Sequence, residues 1–240
     1  SSPYGSLMQS SNAKLYGMTS AGGINNKGVL FEYDIVTNTY SKKIDFDGTN
    51  NGSTPYGDLM EASNGNLYGL TNAGGTYGFG VLFEYNSAAT IFTKKMDFNT
   101  AAEGRNPACT LFQAADNKLY GTTEIGGFGT TGVIFNYDIS LNKYTKLINL
   151  NESLEGGGPT GTFVHATDDK LYGITIGGGT HNLGVLYQYD YLTNVYAKKF
   201  DFDSLDGYSM WGSLLQASNG KLYGTTVGGG ANKFGTLFEY

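Results

Sequence analysis

The chain has 240 residues, a formal net charge of −6, 37 glycines, 19 tyrosines, 14 phenylalanines and one cysteine, Cys109. Its one arginine, Arg105, and the lack of a basic stripe exclude a phosphate-neutralising nucleic-acid surface. No uncharged apolar run approaches the ~20 residues of a membrane-spanning helix, and a lone cysteine excludes an internal disulfide framework.

One unit recurs along the chain. The tripeptide Leu-Tyr-Gly places its tyrosine at Tyr16, Tyr68, Tyr120, Tyr172 and Tyr223, at spacings of 52, 52, 52 and 51. A Gly-Gly pair follows each copy, and the four prolines, Pro3, Pro55, Pro107 and Pro159, share one repeat position. Periodicity of this length marks a repeat architecture. Within a unit, strand A is expected over a segment such as Pro55 to Ala62, its proline tolerated where the ladder has not begun. A tight turn of Asn-Gly type (Asn64-Gly65, Asn219-Gly220) leads to strand B, Leu67 to Thr71. Strand C runs from Gly80 to Tyr85 and strand D from Phe92 to Phe98, with copies of D at Tyr40 to Phe46, Tyr144 to Leu150 and Tyr196 to Phe202.

Four antiparallel strands per unit of about 50 residues fit a propeller blade. The expected fold is therefore all-β: one five-bladed β-propeller over residues 1–240, with four-stranded blades at approximately 3–50, 51–102, 103–154, 155–206 and 207–240. Strand A carries Gly5, Gly57, Cys109, Gly161 and Gly212 at one position, small residues suited to strands converging on an axis. Strand D carries Lys42, Lys94, Lys146 and Lys198, often doubled, as on an outer edge that resists further pairing. Strand A is thus expected innermost and D outermost. The fifth copy stops at Tyr240 with strand C, so its blade is expected to lack the outer strand, as in a chain cut from a longer protein. The N-terminus shows no leader pattern, as in a mature or excised chain.

Candidate chemistry is sparse. His165 occupies a place held elsewhere by Gln9, Glu61, Gln113 and Gln216, and reads as a structural polar residue. His181 lies in a variable B–C loop, and two isolated histidines make no zinc site. Cys109, in the small-residue slot, reads as a packed thiol. Asp58 and Glu61 are the one carboxylate pair on the axial strand, but both come from one repeat, whereas glycoside hydrolysis needs two carboxylates facing across a cleft. The Asp45-Phe46-Asp47 and Asp201-Phe202-Asp203 runs lack the glycine of a calcium loop and read as strand alternation, Phe inward and Asp outward. The Gly-Gly-x4-Gly segments are followed by a strand rather than a helix, so they are turns, not phosphate loops. No enzyme, metal or cofactor is expected.

Variation among the copies points to recognition instead. The four residues between the glycines differ in every repeat, from Ile24-Asn25-Asn26-Lys27 to Phe128-Gly129-Thr130-Thr131, and the D–A connections differ as well. Both loop sets belong on one side of an up-and-down blade array, where a rigid scaffold displays recognition loops. On that side, at the start of strand A, Tyr4, Tyr56 and Trp211 form a candidate aromatic arc, with Arg105 and His181 as outlying contacts. These rings would either stack on a ligand or plug the axial mouth.

The unit Asn-Gly-x-Leu-Tyr-Gly-x-Thr, then Gly-Gly-x4-Gly-Val-Leu-Phe-Glu-Tyr, then Phe-Asp, carried by Asn64 to Thr71, Gly74 to Tyr85 and Asp97-Phe98, resembles the GloVer-type tandem-repeat family of bacterial secreted and surface proteins. The likeness spans essentially the whole chain. It implies an exported or cell-surface bacterial protein and supplies no catalytic residues. The leading expectation is an extracellular, non-enzymatic recognition or adhesion module, its partner a glycan or a surface protein. The alternatives are a structural spacer or protein-contact domain of a larger cell-surface protein and, third, a glycosidase or lyase.

Overall fold

The computed structural model describes residues 2–129 and 131–240; Thr130, part of the third variable loop, lies outside the described residues. Among the described residues nineteen strands form five sheets. The first comprises β1 (Met8–Gln9), β2 (Leu15–Thr19), β3 (Val29–Asp34) and β4 (Thr39–Asp45), and the second β5 (Met60–Glu61), β6 (Leu67–Thr71), β7 (Val81–Asn86) and β8 (Ile91–Asp97). The third holds β9 (Phe112–Gln113), β10 (Lys118–Thr123), β11 (Val133–Asp138) and β12 (Lys143–Asn149). A four-residue helical turn, α1 (Glu152–Glu155), precedes the fourth: β13 (Gly157–His165), β14 (Leu171–Gly177), β15 (Val185–Asp190) and β16 (Val195–Asp201). The last sheet has three strands, β17 (Leu215–Gln216), β18 (Leu222–Thr225) and β19 (Leu237–Glu239). Strands follow one another in sequence order across each sheet, so every unit is an antiparallel meander, and the fifth has no D strand.

Strand A departs from expectation. In four of five repeats it pairs over two residues rather than eight, as in Met60↔Tyr68 and Glu61↔Leu67. The reason is that its glycine-bearing start bonds to the neighbouring repeat instead of to strand B. Ser6 N–H donates to Asp58 Oδ1, Asp58 N–H to Thr110 Oγ1 at 2.8 Å, and Thr162 N–H to Ser213 Oγ at 2.9 Å. A Cβ on Gly57 would run into the Cys109 carbonyl, and one on Gly161 would lie 2.8 Å from the Gly212 carbonyl oxygen. Within each unit the backbones of neighbouring A segments therefore approach closely at these small residues. Only β13 reaches nine residues, with a register shift between Thr160 and Val164.

The repeated motif residues build the core. Each Leu-Tyr-Gly tyrosine is buried or nearly so and places its hydroxyl on a polar residue of strand C or the A–B turn: Tyr68 donates to Glu84 at 2.6 Å and Tyr172 to Asp168 at 2.9 Å. Burial first, and then Asp168, push the Tyr172 hydroxyl up to about 12. The motif glycine has a packing purpose: a Cβ on Gly69 would sit 2.5 Å from the Phe83 ring. The motif threonine closes the B–C loop, Thr71 Oγ1 accepting from Val81 N–H at 3.1 Å and donating to the Ala73 carbonyl at 3.0 Å.

The lysines of strand D are not simply a deterrent edge. A bulge recurs in the C–D pairing, so that Leu30 faces Ile44 and Phe31 faces Lys42, leaving Lys43 as the extra residue. Both lysines then find acids, Lys42 with Asp45 at 2.6 Å and Lys43 with Glu32 at 3.2 Å. The second repeat does the same with Lys94–Asp97 and Lys95–Glu84.

By packing, the chain divides into two compact units. The first is Ser1–Thr100, Arg105–Tyr120 and Tyr137–Tyr144; the second is Ala101–Gly104, Gly121–Asn136 and Thr145–Tyr240. In the first, Tyr16, Leu30, Phe46, Leu67 and Phe83 interlock across repeats one and two. In the second, Leu186, Phe202, Met210, Leu214 and Leu222 do so across repeats four and five.

Candidate functional site

The predicted aromatic residues are surface groups. In the first unit Tyr4 and Tyr56 meet edge to face, ring centroids 5.0 Å apart, with Tyr4 69% and Tyr56 36% exposed. Trp211 belongs to the second unit and is 62% exposed. Arg105 is half-buried with its guanidinium 5.2 Å from the Phe79 ring centroid, a packing contact within the first unit. His181 is exposed on the B–C loop of the fourth repeat. Tyr4 and Tyr56 are thus brought together, and Arg105 lies against Phe79. Cys109 is buried at 2% exposure.

The carboxylate pair on strand A is engaged in repeat-to-repeat contacts. Glu61 accepts from Ser11 N–H at 2.7 Å and Ser11 Oγ at 2.5 Å, and Asp58 accepts from Ser6. Gln113 clasps Ser63 and Gln216 clasps Thr167 in the manner of Glu61 with Ser11. These residues act as inter-repeat fasteners, a role the sequence signals by an acceptor at the same place in successive copies.

The aspartates ending strand D turn inward onto the Gly-Gly loops, contrary to the expectation that they face solvent. Asp45 Oδ1 accepts from Ile24 N–H at 2.9 Å, Asp97 Oδ1 from Thr76 N–H at 2.8 Å, and Asp201 Oδ1 from Thr180 N–H at 2.9 Å. The second glycine of each pair is required where the carboxylate closes in: a Cβ on Gly23, whose φ is +77°, would sit 2.5 Å from Asp45 Oδ1. The Lys42 bond and the Ile24 amide hold the Asp45 carboxyl below its ordinary range. The next acids, Asp47 and Asp203, cap the D–A connectors by accepting backbone N–H bonds from Asn50 and from Leu205 and Asp206. Among the described residues no group of three or more His, Cys, Asp or Glu side chains could hold a metal ion.

The third repeat lacks this clamp. Asn149 and Leu150 stand where the other copies have Asp45-Phe46, Asp97-Phe98 and Asp201-Phe202. Asn149 Oδ1 is buried and has no hydrogen-bond partner among the described residues, and Lys146, deprived of its acid, donates to the Ala102 carbonyl at 2.7 Å. At this place the second unit opens a cleft of about 820 Å³. Its walls are Phe128 and Gly129 of the third B–C loop, the connector from Asn149 to Glu155, and Gly179 and Asn182 of the fourth B–C loop. A second depression of about 440 Å³ shares Glu152 and Asn182 with it. Sequence reasoning located these loops but not this residue set; the Asn-Leu in place of Asp-Phe was the available signal.

The connector that floors the cleft is rigidly tied. Asn151 Oδ1 accepts from Ser153 N–H and Oγ–H, Glu155 Oε2 accepts from Asn151 N–H at 3.0 Å, and the Glu152 carbonyl accepts from Gly179 N–H at 2.8 Å. Bonds from Gly75 N–H to Gly48 O, Gly127 N–H to Ala101 O and Gly230 N–H to Ser204 O join the same two loops in other repeats.

Among the described residues no helix is long and apolar enough to cross a membrane. No curated protein matches the chain. Among solved structures, it is similar to the extracellular domain of a one-component system of B. thetaiotaomicron, with a TM-score of 0.64 and 14% identity over 100% of this chain and 28% of that one. The extracellular domain of a hybrid two-component system of the same organism gives 0.61 and 16% over 94% and 26%. TolB of Acinetobacter baumannii gives 0.59 and 15% over 98% and 50%. The chain spans about a quarter of the first two structures and half of the third, and at these identities the likeness establishes a β-propeller-like fold. The Gloeobacter/Verrucomicrobia repeat matches residues 1–153 and again residues 103–240. With both matches together covering the whole sequence, this chain belongs to the Gloeobacter/Verrucomicrobia repeat family.

Proposed function

We propose that this chain is an extracellular, non-enzymatic recognition module of a bacterial secreted or surface protein, built as a five-bladed ring. One observation carries the functional reading. A recurring framework of Tyr, Gly and Thr contacts, joined in three copies by the Asp clamp, holds loops whose sequences differ in every copy, and the Asn149-Leu150 departure from that clamp lines a cleft of about 820 Å³. Scaffolds that fix their backbone and vary their loops are suited to binding. Engagement of Asp58 and Glu61 by backbone and hydroxyl donors favours binding over acid–base chemistry. The extracellular domains among the structural neighbours, together with the family, support an exported location.

Ring closure is part of this reading, in keeping with the β-propeller-like structural neighbours. A closed ring of this length has an expected radius of gyration of about 18 Å, so small-angle scattering with a clearly larger value would defeat that part. Binding of fluorescently labelled protein to intact bacteria and to a glycan array tests recognition. Loss on Tyr56→Ala, Trp211→Ala or a change in the third-repeat cleft supports it. Absence of any saturable binding, or turnover of a glycan abolished by Glu61→Gln, overturns it.

A further inference from the structure

We infer that the cleft of the third and fourth repeats binds a non-acidic glycan, with Phe128 as the stacking platform and Glu152 and Asn182 as the hydroxyl-reading groups. This deepens the recognition reading and rests on it. The cleft exists for a local reason. In the first, second and fourth repeats an aspartate accepts from the amide of the first residue after Gly-Gly, and a buried phenylalanine follows that aspartate in sequence. Asn149 makes no such bond, and Leu150 is smaller than phenylalanine. The Phe128 ring stands 98% exposed at the rim.

The chemistry of the walls selects the ligand. No lysine, arginine or histidine lines the cleft, while Glu152 and Glu155 do, so an acidic sugar or phosphate would meet uncompensated repulsion. Asn182 turns its carbonyl onto Gly178 N–H at 2.9 Å and Asn151 turns its own onto Ser153. Each therefore has its NH₂ group left to offer, beside the acceptor oxygens of Glu152. A ligand that satisfies both must donate and accept. A hydroxyl does both, whereas a lysine ammonium only donates, which disfavours a basic peptide. The exposed aromatic ring matches the apolar C–H face of a pyranose, burying large area at small entropic cost. A cleft of about 820 Å³ lies within the size range of small-molecule sites.

The test is an array of neutral, amino-sugar and uronic-acid oligosaccharides, followed by calorimetry with the best-binding oligosaccharide. Expected are hits confined to neutral and amino sugars, weakened at least tenfold by Phe128→Ala and by Glu152→Gln with unchanged thermal stability. The double variant Asn149→Asp/Leu150→Phe restores the clamp and the filler of the other repeats. It should fold normally and lose the glycan. Hits among uronic acids alone, or binding retained in that variant and in Phe128→Ala, overturn the inference. If binding instead vanishes in Trp211→Ala or Tyr56→Ala, recognition stands and this site falls. A silent array with persistent binding to intact cells has the same consequence, whereas silence in both assays removes the recognition reading as well.

Discussion

Replacing Thr71 by valine separates hydrogen bonding from burial, because valine has nearly the same shape and greater apolarity. Thr71 is fully buried, and its hydroxyl accepts from the amide of Val81, itself fully buried, while donating to the Ala73 carbonyl. The carbonyl keeps a second donor, Ser53 N–H at 2.7 Å, so the variant orphans one buried amide. A buried unsatisfied donor costs about 1–3 kcal/mol and the lost hydroxyl bond about 1 kcal/mol, giving about 2–4 kcal/mol for Thr71→Val. Thr71→Ser keeps both bonds and loses one buried methyl, about 1 kcal/mol. Urea unfolding of the three proteins should therefore rank wild type above serine above valine. A valine variant as stable as the serine variant would refute the role assigned to this hydroxyl, and with it the reading of the motif threonine in every repeat.

Gly69→Ala should cost about 1–3 kcal/mol, because the new methyl meets the Phe83 ring; Phe83→Leu in the same chain should recover part of the loss, as thermal melts would reveal. Glu61→Gln should leave stability within about 0.5 kcal/mol, since Gln113 and Gln216 make the same contact as amides, while Glu61→Ala should cost about 1 kcal/mol in chemical unfolding. Asp190 is held down to about 2 by its bond to Lys170, from an ordinary value of 3.8. A depressed carboxyl contributes stability above its unfolded value and forfeits it as pH falls through its folded one. Wild type should therefore exceed Asp190→Asn in stability at neutral pH, and the gap should close between about pH 4 and 2. A pH-independent gap in parallel acid titrations would argue that the carboxylate's charge is irrelevant.

Much of this architecture is legible in the sequence. The Leu-Tyr-Gly spacing, the shared proline position and the absent fifth strand D set the number and content of the sheets. Strands B and C fell close to their expected bounds because alternating apolar residues and flanking glycines act locally. Strand A did not: its first half bonds to the next repeat through Asp58, Thr110 and Ser213, and such side chains look the same whether their partner lies in their own sheet or the neighbouring one. The strand D aspartates depart from expectation because their partner amide lies on a loop of the same repeat. Alternation assigned them to solvent, yet a Gly-Gly loop 21 residues earlier returns to present them with an amide.

The candidate site divides along similar lines. Loop variability among copies directed attention to the B–C and D–A connections, and the cleft lies there. Which copy opens was decided by a contact that Asn149 does not make, and a missing contact is visible only beside the three that exist. The amino-acid sequence alone determined the repeat, its strands and its turns, because these follow from periodicity and from residues acting within a few positions of themselves. Tertiary structure alone decided the fasteners between repeats, the loop clamp and the cleft, because each depends on groups that meet only after segments 20 to 50 residues apart in sequence have come together.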